Sequence, residues 1–156
     1  MRTALNSLLR DIINVHEGEP WFGRSVFILL QEVDPAKAAI RPGKKGHSML
    51  DILWHMNTWA SFTLDRLNKE KKPGLKDAEE LDWRVLRADE HTWEKGMSAF
   101  RSAYDAIIAV LKKIPDDRFL EEKVEGRDYN FGYLLRGMTE HNIYHAGQIA
   151  WMCKFT

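Results

Sequence analysis

The strongest constraint on the fold is a helical stripe. Trp93, Met97, Phe100, Tyr104, Ile107, Leu111 and Ile114 recur at three- and four-residue steps, which places all seven on one side of a long helix. Such a helix must bury that side against other elements. The same period governs the rest of the chain. Thr3 to about Glu17 carries Leu5, Leu8, Leu9, Ile12 and Ile13 on one face. A piece from about Trp21 to Glu32 carries Phe22, Val26, Leu29 and Leu30, after a break at Glu17-Gly18-Glu19-Pro20. Alternating Val/Ile/Thr strands and Asn-Gly hairpin signals are absent from the sequence.

Asp34-Pro35 and Arg41-Pro42-Gly43 mark a loop, and a further helix starts near Ser48. Ser48-Met49-Leu50-Asp51 reads as a capping box with Asp in place of Glu. This helix runs through Leu53, Asn57, Ala60, Leu64 and Leu67 to about Lys69, where Glu70-Lys71-Lys72-Pro73-Gly74 stops it. A charged crossover of roughly twenty residues, containing Leu81-Asp82-Trp83, leads to the striped helix, expected from about Asp89 to Ile114. Pro115-Asp116-Asp117 ends that helix, and a loop to about Asn130 has room for a short extended stretch. The last helix reaches Trp151. The expectation is an all-α fold, a four-helix bundle over residues 1–156 as a single domain, with the long crossover between helices 2 and 3 letting those two run parallel.

The last helix carries the chemistry. His141 and His145 stand four residues apart, about 40° around the axis and ~6 Å along it. They fall in register with Phe131, Leu134, Leu135, Met138, Ile149 and Met152. Histidines aimed at a core need partners for their ring nitrogens, and a metal ion is one such partner. A third ligand must come from another helix. His55 is the candidate, on a side shared with Ile52, Trp59 and Phe62. Three imidazoles leave a position open for water or substrate, and nitrogen ligands favour Zn, Ni, Cu or Fe over Mg or Ca. The plain alternative is a set of core histidines satisfied by hydrogen bonds. No His-Glu-x-x-His motif with its built-in base is present.

Other residues read more quietly. His47 belongs at the loop-to-helix junction near the pocket mouth. Asp51 serves either as the helix cap or as a carboxylate behind a ligand histidine. His16 and His91 are expected at helix ends on the surface. Glu140 points about 100° away from His141. Cys153, the single cysteine, has no basic neighbour to activate it.

Composition narrows the class. Lys and Arg number 23 and so do Asp and Glu, which gives no basic footprint for nucleic acid. One cysteine allows no internal disulfide and suits a reducing compartment. The longest apolar runs, such as Val26 to Leu30, are too short to span a membrane, and the N-terminal stretch is amphipathic rather than signal-like. A cytoplasmic location is expected.

These residues together resemble the DinB-like (damage-inducible) superfamily, which includes YfiT-type proteins and bacillithiol or mycothiol S-transferases. His141-x-x-x-His145-Ala-Gly-Gln-Ile resembles its C-terminal signature. Gly46-His47-Ser48-Met49-Leu50-Asp51-Ile52-Leu53-Trp54-His55 resembles its helix-two signature. Pro20-Trp21-Phe22-Gly23-Arg24-Ser25, Leu81-Asp82-Trp83 and Leu135-Arg136-Gly137 are similar to further markers.

The resemblance implies an up-down-down-up four-helix bundle, often a homodimer, with a divalent transition metal, commonly Ni or Zn, on His55, His141 and His145. It implies a metal-dependent thiol S-transferase or a hydrolase acting on a small molecule, possible co-substrates including a low-molecular-weight thiol. The alternative is a non-catalytic bundle in which the ion is structural. Many relatives carry His where this chain has Phe22, so substrate contacts there are expected to differ.

Overall fold

The computed structural model describes residues 1–43, 45–69 and 74–156. Among them the fold is all-α. Six α-helices occur: α1 (Thr3–Glu17), α2 (Val26–Gln31), α3 (Met49–Leu67), α4 (Leu75–Asp82), α5 (Trp93–Lys113) and α6 (Phe131–Met152). A 3-10 turn, Asp117–Glu121, and one isolated bridge between Lys123 and Asn130 fill the loop before α6.

Local chemistry sets the helix ends. Ser48 Oγ accepts from the Asp51 backbone N–H at 3.1 Å, while the Ser48 N–H donates to Asp51 Oδ2 at 2.8 Å, so the capping box forms with Asp. The Thr92 side chain accepts from the Lys95 N–H at 3.2 Å, which starts α5 at Trp93 rather than at Asp89. The Asn130 side chain accepts from the Tyr133 N–H and starts α6. The expected helix from Trp21 begins only at Val26. Gly23 takes φ 124°, and its N–H donates to Pro20 O, closing a turn that keeps Trp21 and Phe22 outside the helix. The crossover between α3 and α5 is not bare loop, because α4 lies within it. The stop expected at residues 70–73 lies outside the described residues.

α3 is the hub. It packs most extensively on α5 and also meets α6 and α4, while α2 packs on α6 and α1 touches α2, α5 and α6. Gly96 permits the α3–α5 approach: a Cβ there would lie 2.8 Å from Leu53 Cδ2. Phe62, Phe100, Leu53, Met56, Ile107, Leu135 and Ile149 are fully buried, each contributing roughly 1.5–3 kcal/mol by removal from water. Asn57 ties the layer, donating from Nδ2 to Leu53 O and to Gly96 O across the helix pair. No helix among the described residues is long and apolar enough to cross a membrane.

His16 differs from the expectation. It is fully buried, not a surface residue. Its Nδ1–H donates to Ile12 O at 2.8 Å, and its Nε2 accepts from Asn142 Nδ2 at 2.9 Å. The ring stacks on Tyr104 and packs near Phe27 and Phe100. Periodicity places His16 on the α1 face of Leu5, Leu9 and Ile12, and burial of so polar a ring is possible because an acceptor one turn back and a donor 126 residues away satisfy it.

Candidate metal centre

α3 and α6 bring His55, His141 and His145 together. One ring nitrogen from each lies within 4.8 Å of the others. His55 and His145 are buried, and His141 is partly so. His55 Nε2 and His141 Nε2 are 2.8 Å apart. Two bare nitrogen lone pairs at that distance repel, so a shared proton or a shared cation must hold them.

The outward nitrogens decide which lone pairs face inward. His55 Nδ1–H donates to Asp82 Oδ1 at 2.5 Å, because a carboxylate can only accept. Trp59 Nε1–H donates to the same oxygen at 2.8 Å. His145 Nδ1–H donates to Gln148 Oε1 at 2.7 Å. Both rings therefore turn Nε2 toward the shared centre as acceptors, the arrangement seen behind metal-ligating histidines generally. His141 Nδ1 is buried with no hydrogen-bond partner among the described residues.

Burial pushes His55 and His141 down from 6.5 to about 4, and the neighbouring imidazoles add to it. Burial lowers His145 as well. Asp82 is raised from its usual value, chiefly by desolvation, although the Trp59 hydrogen bond opposes this. The three rings are thus neutral at pH 7, the form that ligates a cation. The donor set and its orientation fit a divalent transition ion.

The cluster lies in the wall of a cavity of about 1040 Å³ whose other walls include Trp59, Trp83, Tyr144 and Trp151. Trp83 covers one side of the site. It stacks on His55 at 4.0 Å with the planes 8° apart, and on His47 at 3.8 Å. His47 is exposed and lines the same cavity.

Asp51 does not reach the site. Its carboxylate is spent on the Ser48 N–H, the Ser48 hydroxyl and Arg41, which salt-bridges to it at 2.9 Å. At the third position of the helix a carboxylate folds back on the cap, so the carboxylate behind His55 comes from α4 instead. Asp82, Trp59 and Gln148 were not assigned roles from the residues alone. The available signal was Leu81-Asp82-Trp83, an acid between apolar residues in an otherwise charged segment.

His91 is half-buried, edge-on to Trp54 at 4.7 Å. Glu140 is exposed. Burial raises the Cys153 thiol above its usual value, and its Sγ lies 3.6 Å from Met49 Sδ, an inert setting. Phe22 is half-exposed and is not among the residues lining the histidine cavity.

A helical fold with three convergent histidines on two long helices defines a candidate metal-binding helical protein. The chain belongs to the DinB superfamily, whose family model matches residues 23–149 and so spans both halves of the site. No curated protein and no solved structure gives a significant match.

Proposed function

We propose that this protein holds a divalent transition ion, Ni or Zn, on His55, His141 and His145, and that it is an enzyme of thiol S-transferase or hydrolase type acting on a small molecule. The observation that carries the reading is the convergence of three neutral imidazoles in the wall of a cavity large enough for a substrate. An ion held there supplies Lewis acidity and lowers the pKa of a bound thiol or water. The chain's own residues supply the rest. Asp82 and Gln148 orient two ligand rings, Trp83 shields the His55 face from water, and Trp59, Tyr144 and Trp151 offer apolar walls to a substrate.

The same reading takes α1, α3, α5 and α6 as the four members of an up-down-down-up bundle, with α4 in the crossover. It also includes a homodimer, supported by the exposed rings of Trp21, Trp151 and Phe155. A cytoplasmic setting accords with the unpaired Cys153.

Elemental analysis of tag-free protein tests the metal: about one ion per chain is expected, and its absence after supply of Ni and Zn overturns the reading. Visible spectra of Co-substituted protein test the chemistry. A change on adding azide or a thiol is expected. An unmoved spectrum would assign the ion a structural role.

A further inference from the structure

Behind Trp83 lies a second cavity, of about 380 Å³, which shares His47, Asp82 and Trp83 with the histidine cavity. Its other walls carry further nitrogen donors, several of them already paired. Arg41 donates to Gly46 O and pairs with Asp51. Arg87 pairs with Glu90. His91 Nδ1 accepts from the Arg87 N–H. Two donors remain. Arg84 Nε and Trp54 Nε1 are both buried without a hydrogen-bond partner among the described residues.

The two belong together. The Arg84 guanidinium sits 5.4 Å from the centre of the Trp54 ring. No ion pair to Arg84 occurs among the described residues. Asp82 is the acid whose field steadies it from within the same lining, without forming an ion pair with it. Desolvation lowers the Arg84 pKa from its usual value, and the field of Asp82 opposes this. Arg84 as a whole is half-buried, but its Nε–H is fully so, and a buried N–H left unpaired costs about 1–3 kcal/mol. An acceptor that carries negative charge would relieve both donors.

We propose that this crevice is an oxyanion subsite, in which Arg84 and Trp54 hold a carboxylate or phosphate group. The further assignment, that this group is the anionic arm of a substrate whose reacting end passes Trp83 to the histidines, rests on the function proposed above. Binding of the oxyanion itself does not.

The test is a titration of the metal-loaded protein with sodium phosphate and, separately, sodium acetate, at constant ionic strength. The indole N–H of Trp54 and the Nε–H of Arg84 are followed by nitrogen-15 NMR. Saturable shifts of both resonances are expected with at least one anion. A tenfold preference for phosphate or for acetate names the group. Arg84→Gln should weaken binding at least tenfold while circular dichroism and metal content stay unchanged. Trp54→Phe, which keeps the ring and removes the donor, should weaken it too and serves if Arg84→Gln fails to fold. No saturable shift, an equal shift with chloride, or unchanged affinity in the folded variants overturns the proposal. His145→Ala should lose metal yet keep the anion. Metal failing to bind wild type while phosphate still binds would sink the metal reading alone.

Discussion

Asp82 Oδ1 lies 2.5 Å from His55 Nδ1, so a carboxylate at the end of α4 orients a histidine in the middle of α3. The contact keeps His55 in the tautomer whose Nε2 faces the cluster and raises that nitrogen's basicity. Asp82→Ala should therefore weaken metal binding about 10–100-fold, as loss of such a partner commonly does, with helical circular dichroism retained. Gln148→Ala removes a neutral acceptor behind His145 and should cost less. Competition against a chromophoric chelator measures both, and equal effects would contradict the ordering.

His145→Ala should abolish stoichiometric metal binding, because two nitrogens are too few to hold the ion, while the helical spectrum persists. Unchanged metal content by elemental analysis would remove the three-histidine assignment.

Acid should release the metal late. His55 and His141 sit at about 4 rather than 6.5, so protons compete for their lone pairs only well below neutrality. Metal content should hold from pH 7 to pH 6 and fall as pH approaches 4. Dialysis at each pH followed by elemental analysis checks this; loss already between 7 and 6 would mean that the ligands are not these buried rings.

His16 should make folding acid-sensitive. Its folded pKa, about 4, lies below the unfolded 6.5, because burial disfavours the charged ring. The neutral form is therefore favoured by folding. Its contribution is fully present above about pH 6.5 and is lost as pH falls through 4, on the order of 3 kcal/mol in all. The other buried histidines act in the same direction. His16→Gln should flatten the slope of urea midpoint against pH between 6.5 and 4. Asn142→Ala should cost about 1–3 kcal/mol at pH 7, by leaving His16 Nε2 without a donor.

Gly96→Ala should destabilise despite the better helix propensity of Ala. The added Cβ meets the buried Leu53 side chain at 2.8 Å and Trp54 Nε1 at 3.3 Å. Overpacking of about 1–3 kcal/mol outweighs a propensity gain of about 1. Thermal or urea unfolding reads the sign, and a stabilised variant would show that Leu53 has room to move.

The long helices were legible because their cause is local. The stripe from Trp93 to Leu111, the box at Ser48 and Asp51, and the pair His141 and His145 each depend on neighbours within a turn or two of one helix. The α4 helix was not legible, since a charged eight-residue segment carries little apolar period and is held chiefly by α3. His16 was misplaced for a related reason: hydrophobic pattern names the buried face, but only a distant Asn makes a histidine welcome there.

What the sequence determines by itself is therefore the periodic face of each long helix and the residue types that face carries, including three histidines suited to a cation. Which carboxylate stands behind His55, whether Asp51 caps or reaches inward, and that Arg84 Nε and Trp54 Nε1 lack hydrogen-bond partners among the described residues were decided only by the tertiary structure. The reason is physical. Helical register is set by contacts a few residues apart, whereas the pairing of buried polar groups depends on segments brought together only when the apolar faces close.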